Sequence, residues 1–235
     1  MINDQNIDRW YDHNIDITNR TLFMGSISST QDDESGVDNF MAESIIKGLH
    51  TLDTINNKPI TIIMNNTGGD WYHGMAIYDA IKNTRSHTTI KVFGHAMSMG
   101  SIILQSPNNR IMLPNSRLML HYGQNSNQGH PKLLERWSEE SKKLNHTMEQ
   151  IYLEKIVSKE SNNIQQLFNS INNIQSTINP SFKNHKLSPG KNINIRTKQY
   201  LSFISNLLDF DTYLTPEQTL SLGLIDSIQY PHNNK

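Results

Sequence analysis

A chain of 235 residues is long enough to bury a substantial core, either as one large domain or as one domain with an elaboration. Its 21 Lys and Arg against 22 Asp and Glu leave a formal net charge of −1, so no global field steers it toward nucleic acid or an anionic membrane. The absence of cysteine excludes disulfides, thiol nucleophiles and thiolate metal sites, and is compatible with a reducing cytosol.

Residues 1–10 are polar and lack the basic start and apolar core of an export signal. No later run approaches the ~18 apolar residues of a spanning helix. The expectation is a soluble, unexported, cytoplasmic protein. Only 35% of the residues are hydrophobic and Asn is abundant, but the apolar positions cluster into periodic segments, so most of the chain is expected to fold.

In chain order, residues 21–27 (TLFMGSI) predict a short strand and 31–36 an acidic, turn-forming loop. From Val37 the positions Phe40, Met41, Ile45, Leu49 and Leu52 keep helical spacing, and the helix is expected to end near Asn56, Asn57 and Pro59. The apolar run 60–64 reads as a strand covered on both faces. Gly68 and Gly69 then turn the chain into a helix over about 74–83. Residues 89–93 predict a strand, 100–105 a helix, and 110–113 and 117–121 two short strands parted by Pro114 and Asn115. Strands and helices alternating at these intervals predict βαβ units around a mostly parallel sheet, and hence an α/β fold.

Beyond Pro131, Leu134, Trp137, Ser141, Leu144, Met148, Ile151 and Lys155 fall at three- and four-residue steps and predict a long helix over 132–156. Its charged residues Glu139, Glu140, Lys142 and Lys143 read as a solvated face. The Asn-, Gln- and Ser-rich stretch 158–199 reads as an insertion, part helix and part mobile loop, within a single domain spanning 1–235. Regular patterning resumes at Tyr200, and 216–224 predict a last helix with Thr215 as N-cap and Gly223 at its end.

Ser98 lies where the strand at 89–93 runs through a tight turn (GHAMSMG, 94–100) into a helix. A serine there projects Oγ into a cleft, and the N–H of Met99 is available to an oxyanion. The same pattern also fits a serine that only caps the helix. Position 96 is Ala, so this is not a GxSxG elbow. A second donor could come from the turn Asn66-Thr67-Gly68-Gly69, where glycine lets backbone approach a ligand. Neither GxxxxGK[ST] nor GxGxxG is present to bind a nucleotide, and no HExxH suggests zinc. Among ten histidines, His121 stands out as a base because it ends an apolar strand at a sheet edge. His95 is nearer in sequence, but sits in the same tight turn as Ser98.

Four segments, NNTGGDWYHGMAIYDAI (65–81), GHAMSMGS (94–101), LPNSRLMLH (113–121) and DTYLTPEQTLSLGLIDSI (211–228), resemble in order the glycine turn, nucleophile turn, histidine strand and aspartate segment of the Clp protease proteolytic (ClpP) family. The resemblance covers 15–157 and 200–230. It implies a crotonase-like fold of stacked ββα units with a long handle helix. It also implies a Ser98-His121-Asp211 triad, oxyanion donors at Gly69 and Met99, and no metal or cofactor. The family's chemistry is hydrolysis of peptide bonds in unfolded chains or peptides. Its subunits form homo-oligomeric, seven-membered rings fed by an AAA+ unfoldase of ClpX or ClpA type.

The chain departs from the family pattern at several places. Thr67 stands for a proline, His95 for a glutamine, and Phe210 for an arginine that makes contacts between rings. Thr61, Ile63 and Asn83 fall where aromatic side chains line the unfoldase docking cleft. The alternatives are an inactive ring subunit acting as scaffold or regulator, a crotonase-type acyl-CoA enzyme, and a phage capsid-processing protease of the same fold.

Overall fold

The computed structural model describes residues 4–25, 36–123, 128–160, 162–178 and 186–231. It divides into two compact units, one of Met1–Met119, Leu214–Leu220 and Ile225–Lys235, the other of Leu120–Tyr213 and Ser221–Leu224.

In the first unit, α1 (Asp4–His13) and the two-residue β1 (Ile15–Asp16) precede β2 (Thr21–Met24), α2 (Asn39–Ile55), β3 (Ile60–Asn66), α3 (Trp71–Asn83), β4 (Thr88–Met97), α4 (Met99–Ile103) and β5 (Asn109–Met112). β6 (Arg117–Leu120) and α8 (Pro216–Ser221) lie almost wholly in this unit, and β8 (Ser227–Ile228) closes it. The sheet runs β1-β2-β3-β4-β5-β8, with β6 also paired to β4. Every pairing in that path is parallel except β1 with β2, so the α/β expectation holds. The first strand stops at Met24, and positions 26–35, including most of the expected acidic loop, lie outside the described residues.

β3 differs from its expected burial on both faces. Ile60, Ile62, Met64 and Asn66 are buried, whereas Thr61 and Ile63 are half-buried and Asn65 is exposed. An apolar run reads alike in both cases, because Ile63 faces outward in register with Phe23 and Lys91. α2 begins where Asp38 accepts a bond from the Met41 N–H at 2.8 Å. The turn between α2 and β3 is closed by Arg20, 7% exposed, whose guanidinium donates to the carbonyls of Leu52, Asn56 and Lys58. α8 carries a capping box. Gln218 N–H donates to Thr215 Oγ1 at 3.3 Å and Thr215 N–H to Gln218 Oε1 at 2.9 Å.

The second unit is dominated by α5 (Pro131–Glu160), α6 (Ile164–Ile178) and α7 (Ile193–Leu208), followed by β7 (Thr212–Leu214). α5 is longer than the expected 132–156 and unevenly buried. Met148, Ile151, Tyr152, Leu153 and Ile156 are covered, while no residue from 131 to 147 is. Within the polar stretch 158–199, α6 buries Leu167, Phe168, Ile171, Ile174 and Gln175 on one stripe. α7 starts well before Tyr200, with Asn192 accepting from the Ile195 N–H. Asn and Gln dilute the composition there, but helical spacing concentrates the apolar residues on one face. Among the described residues no helix is long and apolar enough to cross a membrane.

Candidate active site

Ser98 is the single residue between β4 and α4, and its backbone takes φ 49°, ψ −123°. Positive φ is sterically costly for a residue with a Cβ. The bend is held from β6, whose Met119 pairs with Met97 and accepts the Ser98 N–H at 2.9 Å. The Ser98 side chain makes no capping bond to α4, so the helix-cap alternative does not describe its role.

The glycine turn lies against this junction. A Cβ on Gly68 would come within 2.6 Å of the Ser98 Cβ and 2.9 Å of the Met99 nitrogen, so only glycine allows the approach. Gly68 and Gly69 both have positive φ, 100° and 143°. Asn66, fully buried, shapes the turn by accepting the Gly68 N–H on Oδ1 at 2.9 Å. Gly69 bridges to Val37, but both bonds of the bridge use its neighbours, Gly68 O and Asp70 N, so the Gly69 N–H takes no part in it. Met99 opens α4, and the first N–H groups of a helix have no partner within it. The structure thus brings the glycine turn, through Gly68, against Ser98 and Met99 in the first unit, with Gly69 the next residue of that turn.

In the second unit it brings His121 to Asp211. Nδ1 of His121 lies 2.8 Å from Oδ1 of Asp211, across 90 positions of sequence. The imidazole is 17% exposed and the carboxylate 53%, so the pair is open to solvent on the aspartate side. His95 differs: its ring Nε2 is buried with no hydrogen-bond partner among the described residues, and its N–H donates to Asn65 Oδ1 at 3.2 Å.

The residues around His121 include a set that sequence reading missed. Tyr122 donates its phenol proton to Glu149 Oε1 of α5 and shares a 3.2 Å bond with Ser205 Oγ of α7. Burial, and then the Glu149 carboxylate, push the phenol up to about 12. The three positions are far apart in the chain and form no motif, so no local signal could have shown them. A cavity of about 790 Å³ opens between α1 and α2, lined by Arg9, Ile15, Phe40, Met41 and Lys47 among others. None of Ser98, His121 or Asp211 lines it.

A family model described as Clp protease matches residues 11–172. The chain belongs to the Clp protease family. Ser98, His121, Gly69 and Met99 fall inside the matched span and Asp211 beyond it. The ATP-dependent Clp protease proteolytic subunit of Deinococcus radiodurans is 34% identical over 139 residues, 58% of this chain and 64% of that protein. The match therefore spans less than two thirds of that relative's length. ATP-dependent Clp protease proteolytic subunit 1 of Protochlamydia amoebophila is 30% identical over 197 residues, 82% of this chain and 76% of the relative. A ClpP1 point mutant from Listeria monocytogenes superposes with a TM-score of 0.64 at 21% identity, covering 92% of this chain and 95% of that one. That likeness assigns the ClpP-type α/β fold.

Proposed function

We propose that the protein is a serine endopeptidase of Clp type that hydrolyses peptide bonds in unfolded chains or short peptides. The observation that carries this reading is the 2.8 Å bond between His121 and Asp211, an orienting carboxylate on a ring nitrogen at the end of a strand. The strained serine at the β4–α4 junction supports it, with Gly68 of the glycine turn packed against Ser98 and the Met99 nitrogen.

In this reading Ser98 Oγ attacks the scissile carbonyl and its proton passes to Nε2 of His121. Asp211 accepts the Nδ1–H, fixes the tautomer and stabilises the imidazolium. The N–H groups of Gly69 and Met99 receive the negative charge that develops on the carbonyl oxygen. The imidazolium returns the proton to the leaving amine, and water then hydrolyses the acyl-enzyme. No step calls for a metal or cofactor.

The whole chain acts as one subunit of a homo-oligomeric ring. The uncovered first half of α5, with Leu133 and Leu134 exposed, supports a partner surface on that helix. The test of the activity is labelling of the purified protein by a fluorophosphonate probe together with cleavage of a fluorogenic peptide. Labelling that maps to Ser98 and disappears in Ser98→Ala is the expected result. A protein that neither labels nor cleaves is an inactive ring subunit instead.

A further inference from the structure

We propose that Tyr122 is a positioning residue that holds His121 in register with Asp211, by tying the chain beside the imidazole to α5 and to the end of α7. The inference rests on the reading of His121 as the general base.

His121 stands one residue past the end of β6, where the sheet ladder no longer constrains the chain. Tyr122 supplies what the ladder does not. Its N–H donates to the carbonyl of Leu208 at 2.7 Å, and Leu208 is the last residue of α7, three positions before Asp211. This bond alone sets the two backbone segments of the His–Asp pair at a fixed spacing, yet it leaves rotation about its axis. The phenol removes that freedom by reaching Glu149 on α5 and Ser205 on α7. A hydroxyl that donates to a carboxylate is among the stronger and more directional of protein hydrogen bonds. Here it is half-buried, with the Glu149 side chain 22% exposed, so water competes weakly. Because the phenol is pushed up to about 12, the donor keeps its proton throughout the range in which a His–Asp pair works.

The chemical consequence is alignment. Proton transfer from serine requires the imidazole to keep Nδ1 on the carboxylate while Nε2 receives the proton, and small displacements of a catalytic group cost orders of magnitude in rate. Ser205 and Leu208 both belong to α7, which thereby contributes to the placement of His121 as well as preceding Asp211.

The test uses the full chain, with kcat and KM measured on a short fluorogenic peptide. Alongside, the Nδ1–H signal of His121 is followed in ¹⁵N-histidine-labelled protein and assigned by its loss in His121→Ala. Tyr122→Phe, which keeps the ring and removes the hydroxyl, is expected to lower kcat about tenfold with little change in KM, and to broaden or abolish the Nδ1–H signal. Glu149→Leu is expected to do the same, Glu149→Gln to retain most activity by keeping an acceptor, and the double variant Tyr122→Phe/Glu149→Leu to be no worse than either single change. If Tyr122→Phe does not fold, the contrast between Glu149→Leu and Glu149→Gln decides in the same measurements. Wild-type kcat with an unchanged Nδ1–H signal in Tyr122→Phe, or additive losses in the double variant, would overturn the proposal. The signal reports the His121–Asp211 bond whether or not peptides are cleaved. An inactive protein in which it responds as expected therefore overturns the peptidase reading and leaves the positioning role standing.

Discussion

At Ser98 the backbone sits at φ 49°, ψ −123°, a conformation that costs a residue bearing a Cβ ~1–3 kcal/mol. Glycine relieves that strain, so Ser98→Gly is expected to melt above the wild type while losing peptidase activity. Ser98→Ala keeps the Cβ and the strain, and should lose activity with its melting temperature nearly unchanged. Calorimetry beside a peptide assay checks both, and a glycine variant that melts below the alanine variant would show that the conformation is not strained. His121→Ala is expected to lose as much activity as Ser98→Ala, and Asp211→Asn to lose heavily but less completely, because its task is orientation and charge stabilisation. The buried Nε2 of His95 has no hydrogen-bond partner among the described residues, so His95→Ala should stay active. If that variant is dead while His121→Ala works, the base is His95.

At the scale of elements, the second unit is knitted by a cluster between the end of α5 and α7. Arg196 donates to Glu160 Oε1 at 2.8 Å and Tyr200 OH to Glu160 Oε2 at 2.7 Å, while the Tyr200 ring packs on Phe168 of α6. Burial by itself would raise the Glu160 carboxyl, but the bonds from Arg196 and Tyr200 outweigh it and hold it below its ordinary value of 4.5. A folded value below the unfolded one means that the stabilisation is complete above the ordinary value and is lost as pH falls through the folded value. The wild type is therefore expected to lose melting temperature on acidification from about pH 5 downward, and Glu160→Gln to lose less over the same interval. Equal acid slopes in the two proteins would place the sensitivity in other carboxylates. At α8 the reciprocal bonds of Thr215 and Gln218 make Thr215→Ala a loss of ~1 kcal/mol, measurable by denaturant titration.

For the whole molecule, the proposed assembly and partner choice would rest on surfaces that a single chain leaves open. No residue in the first half of α5 is fully buried within the chain, and light scattering at micromolar concentration is expected to find a ring oligomer. A monomer under those conditions would contradict the proposed assembly. At the positions where the resemblance implies a docking cleft lined by aromatic side chains, this chain has half-buried Thr61 and Ile63 and exposed Asn83. Each missing anchor weakens capture of a hydrophobic loop by ~1–3 kcal/mol, and avidity around a ring recovers only part of that. The protein is thus expected to cleave peptides and unfolded chains but to degrade a tagged, folded reporter poorly when mixed with a ClpX- or ClpA-type unfoldase and ATP. Efficient degradation in that mixture would mean that other residues rebuild the cleft.

By itself the sequence determined what depends on near neighbours. Turn chemistry marked Gly68 and Gly69, capping chemistry marked Thr215, and apolar period separated β2 to β6 from α2 to α4, though not α1, β1 or β8, because these properties are set within a few residues of chain. Four segments in order were enough to indicate the family, since each carries its own local pattern. The pairing of His121 with Asp211 was implied by the resemblance and not by any local spacing, and only the tertiary structure gives the contact itself. His95 is three residues from Ser98, yet His121 holds Asp211 from 90 positions away, and no spacing rule spans such a distance. It also decided that the polar stretch after α5 builds the packed helices α6 and α7, and that β3 is covered on one face. Burial and hydrogen bonding across long loops follow from where segments come to lie in space, and composition averages over that placement.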